Sequence, residues 1–562
     1  MLHFPTKPFN IQLKFIMKKL LSLCLFLSFG LTRLLAQNDV LTVAEKSGFE
    51  STARYADVEH FTTELTKISK FIRVETIAKT IEGRDVPLMI IGNPLPKSPS
   101  DLINDKRIVV YIQANIHAGE VEGKEASLML ARDLVKGLNN DILQKVVVLI
   151  CPNFNPDGNE AISVNNRTHQ NGPKNGVGLR YNGQMLDLNR DAVKLESPEM
   201  KGLIRNVIRK WDPSVMVDCH TTNGSYHEEP VTFTWMINPA GNRELINFMR
   251  DDMMPAVSTT LTKKYNVLNC FYGEFTDLKH PENGWISEAS EPRYLVNYMG
   301  VRNRLAILNE NYVYADYKSR VLGSYSLLHS ILEYSASHAG EIKSMLKNVD
   351  LQTINRGIEP AVQDSFPIEY NARPTPKPIT VKAFEVDVIK NAEGREQLKK
   401  SDRKKTVTVP YIADYYATKS ISFPYAYLIR MSDPVIANLL SEHGIKLEKL
   451  TQATKFEVES FNITGLKPSS RLNQGHYTNT VTGVMVKDTI DFLPGTYVVR
   501  MAQPLANLVA YLLEPQSNDG LLLWNYFDRY LVPQWGKGYN EYPVFRLMKK
   551  VELKTAVSQD KQ

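Results

Sequence analysis

The segment Ala114-Asn115-Ile116-His117-Ala118-Gly119-Glu120 sets an imidazole and a carboxylate three residues apart, directly after an apolar run. Two such side chains at a strand end can turn toward one cation, and a neutral imidazole with a carboxylate suits Zn²⁺. A catalytic zinc takes three protein ligands and leaves a fourth position for water. The third ligand expected here is His220, at the end of Val215-Met216-Val217-Asp218-Cys219-His220. His60, His169, His227, His280, His329, His338, His443 and His476 have no comparable surroundings and are expected to be structural. The chain has no His-Glu-x-x-His helix and no Gly-x-Ser-x-Gly elbow, which excludes those two hydrolase designs. Cysteine nucleophilic catalysis has no support beyond Cys219 standing beside His220.

Side chains separated by a hundred residues need rigid elements to bring them together. Residues 107–113, rich in β-branched and aromatic types, predict a buried strand; so do 145–151 and 214–219. Residues 121–138 predict a helix with an apolar face that Gly137 closes. A second helix is expected from about 198 to 210, with Ser197 as N-cap, Pro198 at its first position and Glu199 in its first turn. Strands alternating with helices indicate an α/β sheet covered on both faces, whose sites lie at the carboxyl ends of the strands. His117 and His220 both follow such ends.

A second polar cluster, Asp187-Leu188-Asn189-Arg190, completes a series. Ile81-Glu82-Gly83-Arg84, His117-Ala118-Gly119-Glu120, Asn155-Pro156-Asp157-Gly158, Asp187-Leu188-Asn189-Arg190, His220 and Leu308-Asn309-Glu310 occur in the order in which the zinc carboxypeptidase family carries similar motifs. The chain resembles that family over roughly residues 45–345. The resemblance implies a mixed parallel/antiparallel sheet sandwiched by helices. It also implies one Zn²⁺ held by His117, Glu120 and His220, with Glu310 as general base. Asn189 and Arg190 would bind the substrate's terminal carboxylate, since a guanidinium can grip a carboxylate with two parallel hydrogen bonds. Arg167 is expected to stabilise the oxyanion, with Arg180 as the alternative, and Tyr298 to cover the bound terminus, with Tyr294 as the alternative. Glu288 and Glu291 are weaker candidates for the base because no comparable strand precedes them. Arg293 and Arg302 are expected to add positive charge nearby. Asp191 after Arg190, Thr221-Thr222-Asn223-Gly224 after His220 and the lack of a disulfide pattern differ from the best-known digestive members. These differences bear on the substrate more than on the zinc chemistry. The implied function is removal of C-terminal residues from peptides with a free carboxylate; a zinc amidase acting on cell-wall peptides or other amides is the alternative, and a non-catalytic binding protein a third.

The 562 residues carry 67 Lys and Arg against 61 Asp and Glu, a formal charge of +6. Five of those basic residues (Lys7, Lys14, Lys18, Lys19 and Arg33) precede position 37, where no acidic residue occurs. Met17-Lys18-Lys19, an apolar stretch and Ala36 predict a secretory signal peptide over 1–36, and hence an exported protein, periplasmic or extracellular. Without it, 62 basic residues stand against 61 acidic ones, and the +1 that remains suggests no nucleic-acid partner. No other apolar run approaches ~20 residues, so no stable membrane span is expected after cleavage. Cys151, Cys219 and Cys270 are too few for a disulfide framework.

The expected organisation is a catalytic domain over 37–345, a proline-bearing linker over 346–380 and a smaller β-rich α/β accessory domain over 381–562. In the last, residues 406–411, 421–429, 455–463 and 496–501 predict strands, and 434–442 and 504–513 predict helices. The charge run at 399–405 is expected as a solvated loop.

Overall fold

The unbroken apolar runs become central strands. In the computed structural model, which describes residue 1 and residues 40–557 apart from 138–139, 362, 392, 432, 532–537 and 540, ten strands precede residue 313. They are β1 (Ile72–Lys79), β2 (Asp85–Ile91), β3 (Ile108–Ala114), β4 (Val146–Cys151), β5 (Val215–Thr222), β6 (Val231–Trp235), β7 (Asn269–Phe271), β8 (Glu274–Phe275), β9 (Trp285–Ile286) and β10 (Leu305–Tyr312). Eight form one sheet in the order β1-β2-β4-β3-β5-β10-β6-β7. Its middle, β4-β3-β5-β10, is parallel; β1, β2 and β6 run antiparallel to their inner neighbours. Every residue of β3 and β4 is buried. Successive side chains point to opposite faces, so both faces of the sheet are covered. The mixed sheet between helices is the expected architecture. The leader expected at 1–36 lies outside the described residues apart from Met1, and no described helix is long and apolar enough to cross a membrane.

Helix α1 (Tyr55–Ile68) packs on β1, and α2 (Glu122–Val135) follows the His117 turn and packs on β3 and β5. A Cβ on Gly123 would stand 2.3 Å from the Cys219 Cβ, so only glycine lets α2 approach β5 this closely. Helix α3 (Pro198–Leu203) begins as expected: the Ser197 side chain accepts from the Met200 N–H, with Pro198 at the first position. Helices α4 (Leu295–Val301), α5 (Tyr317–Ser337) and α6 (Ala339–Ile358) complete this part.

The expected boundaries beyond 345 need correcting. Residues 346–380 are not a bare linker: α6 runs to Ile358, β11 (Ser365–Pro374) follows, and β12 (Ile379–Lys390) begins at 379. Pro367 and Pro374 fit because β11 is an edge strand, where a missing N–H costs no ladder bond. Nor does the chain divide there, since Thr42–Gln562 forms one compact unit. After β13 (Glu396–Val409) comes β14 (Tyr411–Ser422), which pairs in parallel with β9, so the sheet β11-β14-β9-β8 draws strands from both sides of the expected boundary. The charge run 399–405 lies inside β13, not in a loop. β12 and β13 form a two-stranded ribbon whose base alternates, with Ile379, Val381, Ala383, Val407 and Val409 buried, while the stretch carrying the charge run is largely exposed. The remainder is β-rich, as expected: β15 (Ala426–Ile429), α7 (Val435–Glu442), β16 (Glu448–Leu450), β17 (Thr454–Pro468), β18 (Asn479–Phe492), β19 (Tyr497–Arg500), α8 (Ala506–Leu513), β20 (Val544–Leu547) and β21 (Thr555–Val557). Its strands form a seven-stranded sheet in the order β18-β17-β20-β15-β19-β16-β21.

Candidate active site

The carboxyl ends of β3, β5 and β10 lie side by side. Ala114 and Asn309 both pair with Cys219, and Glu310 pairs with His220. The turn after β3 carries His117 and Glu120 to the same place. His117 Nδ1 lies 3.1 Å from Glu120 Oε2 and 3.2 Å from His220 Nδ1, and His220 Nδ1 lies 3.0 Å from Glu120 Oε2. All three side chains are buried. Among the described residues they form the one cluster able to offer three ligand atoms to an ion. Tetrahedral zinc with ligand bonds of about 2.0–2.1 Å sets neighbouring donor atoms about 3.3 Å apart, close to these spacings.

The outer face of each imidazole is held by a carboxylate. Asp187 Oδ1 accepts from His117 Nε2 at 3.0 Å, and Asp218 Oδ2 accepts from His220 Nε2 at 2.9 Å. Protons held on both Nε2 atoms leave the Nδ1 lone pairs facing the cluster, the arrangement that orients histidine for a metal. Burial disfavours a charged His220, but Asp218 and Glu120 override it and favour a positive ring. The same carboxylates favour a cation between the rings. The donor set therefore fits a divalent ion such as zinc. Sequence reasoning missed Asp218, although strand alternation puts residues 218 and 220 on one face of β5. A core chain steadies it: Tyr111 OH donates to Gln113 Oε1 (2.9 Å), and Gln113 Nε2 donates to Asp218 Oδ1 (3.2 Å). Asp218→Asn is expected to weaken zinc binding about 10- to 100-fold. Competition against a chromophoric chelator measures this, and unchanged affinity would remove Asp218 from the role.

Glu120 Oε2 also accepts from the Thr221 N–H at 3.0 Å, and its Oε1 accepts from Arg167 Nη1 at 2.8 Å and from Arg180 Nη1 at 3.5 Å. Burial alone would raise the Glu120 carboxyl, but His117 and Arg167 hold it well below the usual carboxylate range. Gln170, unremarked in the sequence, accepts from Arg167 Nε at 2.7 Å. A Cβ on Gly119 would stand 2.6 Å from Arg167 Cδ, so the glycine of the His-Ala-Gly-Glu turn makes room for this arginine. Arg180 turns mainly to Asp187, at 2.9–3.0 Å.

Glu310 stands in the same cleft, and its Oε2 is buried without a hydrogen-bond partner. Burial pushes its carboxyl up to about 8; Glu120 adds to the rise, while His220, Arg167 and Arg180 oppose it. Cys219 is no rival nucleophile, because burial pushes its thiol up to about 12. Cys151 and Cys270 are likewise buried and unpaired in any disulfide.

The cleft encloses about 430 Å³. Besides the cluster, Arg167, Arg180 and Glu310, its walls include Asn189, Arg190 and Tyr294, the apolar Trp235, Ile237, Val296 and Leu308, and the polar Thr234, Glu288 and Asn297. Asn189 is fixed by its Oδ1, which accepts from the Leu295 N–H at 3.0 Å, and the Arg190 guanidinium lies 4.4 Å from the Tyr294 ring centroid. Tyr298 does not line the cleft, a correction to the expectation: it is fully buried, and its OH lies 2.7 Å from His443 Nδ1. Tyr294 caps α4 at the cleft, whereas Tyr298 sits one turn deeper. Arg293 and Arg302 are also absent from the cleft wall. Arg293 pairs with Asp519 at 3.3 Å, and Arg302 donates to the His443 carbonyl at 2.7 Å. His169, expected to be structural, lines the cleft instead.

A model of the zinc carboxypeptidase family matches residues 58–340. The chain belongs to the zinc carboxypeptidase family. It is an α/β metallocarboxypeptidase, a peptide hydrolase. Carboxypeptidase 2 of Trichophyton rubrum is 24% identical over 489 residues, covering 84% of this chain and 81% of its own. That share exceeds the family span, so the likeness reaches into the β-rich tail. Carboxypeptidase M of Mus musculus is 30% identical over 128 residues, covering 22% of this chain and 26% of its own. The crystal structure of a metallo-carboxypeptidase from Burkholderia cenocepacia covers 50% of this chain and 69% of its own, at 17% identity and a TM-score of 0.37.

Two of the zinc carboxypeptidase motifs meet each other and not the cleft. Arg84 Nη1 donates to Asp157 Oδ1 at 2.7 Å, and the Glu82 N–H donates to Asp157 Oδ2 at 3.3 Å. Asn155 Nδ2 donates to the carbonyls of Ile116 (3.4 Å) and Arg180 (3.3 Å). These residues brace the His117 turn and the backbone at Arg180.

Proposed function

We propose that this enzyme releases single residues from the C-terminal end of peptides. One zinc ion would be held by His117, Glu120 and His220. Bound there, zinc supplies a Lewis acid that polarises a carbonyl and lowers the pKa of water to about 7. Glu310 Oε2 takes the proton of the attacking water and passes it to the leaving amine nitrogen. The observation that carries this reading is the Glu310 carboxylate, with its Oε2 unpartnered in the cleft, on the strand neighbouring His220 and three converging ligand atoms. Arg167 keeps a second N–H on each of Nη1 and Nη2 beyond its bonds to Glu120 and the Thr221 carbonyl. Those donors are available to a developing oxyanion. Arg190, with Asn189, anchors the terminal carboxylate by a two-pronged grip. A mid-chain peptide would offer the guanidinium no anion beyond the more distant Asp187, 3.9 Å away, so a chain end is favoured.

Trp235, Ile237, Val296 and Leu308 suit an apolar terminal side chain. Burying Leu or Phe stabilises by about 1.5–3 kcal/mol, or roughly 10- to 150-fold. Peptides ending in Leu or Phe are therefore expected to exceed those ending in Asp, which Glu288 of the same lining also disfavours, at least about tenfold in kcat/KM. The same assay compares each free peptide with its C-terminal amide, which should be cleaved far more slowly. Equal release from both forms would replace the carboxypeptidase reading with a general amidase.

A further inference from the structure

The tail reaches the turn that carries Asn189 and Arg190. The loop between β17 and β18 closes at a two-residue turn, Gln474-Gly475. Asn473 and His476 exchange backbone hydrogen bonds of 2.8 and 3.0 Å across it, and both central residues have positive φ, +52° and +83°. That is the backbone of a tight hairpin turn. Asn or Gly would adopt it more readily than Gln at the first position. Gln474 nevertheless occupies it, and its Oε1 accepts from the Asp187 N–H at 2.8 Å. A residue in a disfavoured backbone region persists where its surroundings demand it, and such positions cluster at functional sites.

Gln474 is the forward point of a wider clamp. His476 Nε2 lies 2.8 Å from Glu196 Oε1. Tyr526 OH donates to the Lys194 carbonyl at 2.8 Å, and Lys194 Nζ stands 4.2 Å from the Trp524 ring centroid. His443 Nε2 lies 3.0 Å from the Val193 carbonyl oxygen. On the neighbouring strip, Asp519 Oδ2 accepts from the Arg293 N–H at 2.6 Å, one residue before Tyr294. Tail groups thus hold residues 187, 193, 194 and 196 of one segment and 293 of the other, on both sides of Arg190.

We infer that Gln474 is a positioning residue: by fixing the Asp187 amide it sets the Asp187–Arg190 turn, and through it the grip on the substrate carboxylate. This rests on Arg190 being the anchor. Gln474 touches neither the proposed metal ligands nor Glu310, but Asp187 also holds His117 Nε2, so the zinc content of each variant separates an effect on the carboxylate grip from one on the metal site.

The test uses the full-length zinc-loaded enzyme and a peptide with a free C-terminus. Gln474→Met keeps size and backbone strain but removes the acceptor; Gln474→Glu retains an acceptor. Gln474→Met is expected to raise KM about 5- to 10-fold, the worth of one hydrogen bond to a well-placed partner. kcat should stay within about twofold, Gln474→Glu should restore KM, and zinc content should match the parent. In a double-variant cycle, Gln474→Met should add little to Arg190→Ala, because both act on one contact. A KM unchanged by Gln474→Met overturns the proposal, as do additive effects in the cycle or a joint fall in kcat and thermal midpoint. If Arg190→Ala leaves KM unchanged, the anchor reading fails separately.

Discussion

Glu310→Gln is expected to lower kcat about 10²- to 10⁴-fold, the usual worth of a positioned general base, while zinc content and KM stay near the parent values. Glutamine matches the carboxylate in shape but cannot take a proton. The base role also fixes the sign of a pH effect. Only unprotonated Glu310 accepts the proton, so kcat rises with pH through the Glu310 pKa. Burial pushes that pKa up to about 8, and a dication beside it pulls the other way. The rising limb should therefore vanish in the variant. Its folding stability should change little, because the substitution keeps the shape of the side chain and breaks no hydrogen bond of Oε2, which is buried without a partner. Stopped-time release of amino acid, paired with metal analysis, measures the effect. Full hydrolysis by metal-loaded Glu310→Gln would falsify the mechanism.

Arg190→Ala should strike a different parameter. Truncating one member of a buried, hydrogen-bonded charge pair costs about 2–5 kcal/mol, roughly 30-fold to several thousandfold in kcat/KM. The more diagnostic result is a loss of discrimination: the variant should cleave free and amidated peptides at similar low rates. Arg190→Lys should recover little, because an ammonium neither forms the two-pronged grip nor stacks on Tyr294 as the guanidinium does, 4.4 Å from the ring centroid. A variant that still prefers the free carboxylate would shift the anchor to another cation of the cleft, Arg167 or Arg180.

Much of this centre was legible in the sequence because metal chemistry restricts residue type and strand ends restrict place. His117, Glu120 and His220 met both conditions, and Glu310 followed an apolar strand. Asp218 shares a strand face with His220, but a carboxylate two residues before a histidine draws no notice on its own. Tyr294 and Tyr298 could not be separated: their spacing of four gives no sign of which one meets the cleft and which meets His443. The tail misled for a physical reason. Proline-bearing β11 is an edge strand whose alternation is short, Phe366 and Ile368 alone being buried, and the charged stretch of β13 lies on an exposed part of its ribbon. Gln474 carried no local signal at all, because its partner lies 287 residues earlier.

That separation bears on how the molecule is completed. Short-range pairings such as β1 with β2 close small loops, whereas the Gln474–Asp187 contact closes a loop of 287 residues, at an entropic cost that grows with length. The family span contains every proposed zinc ligand, yet the turn bearing Arg190 is also held by a hairpin that lies beyond that span. On the role inferred for Gln474, peptidase activity would report on this long-range contact as well as on the family span.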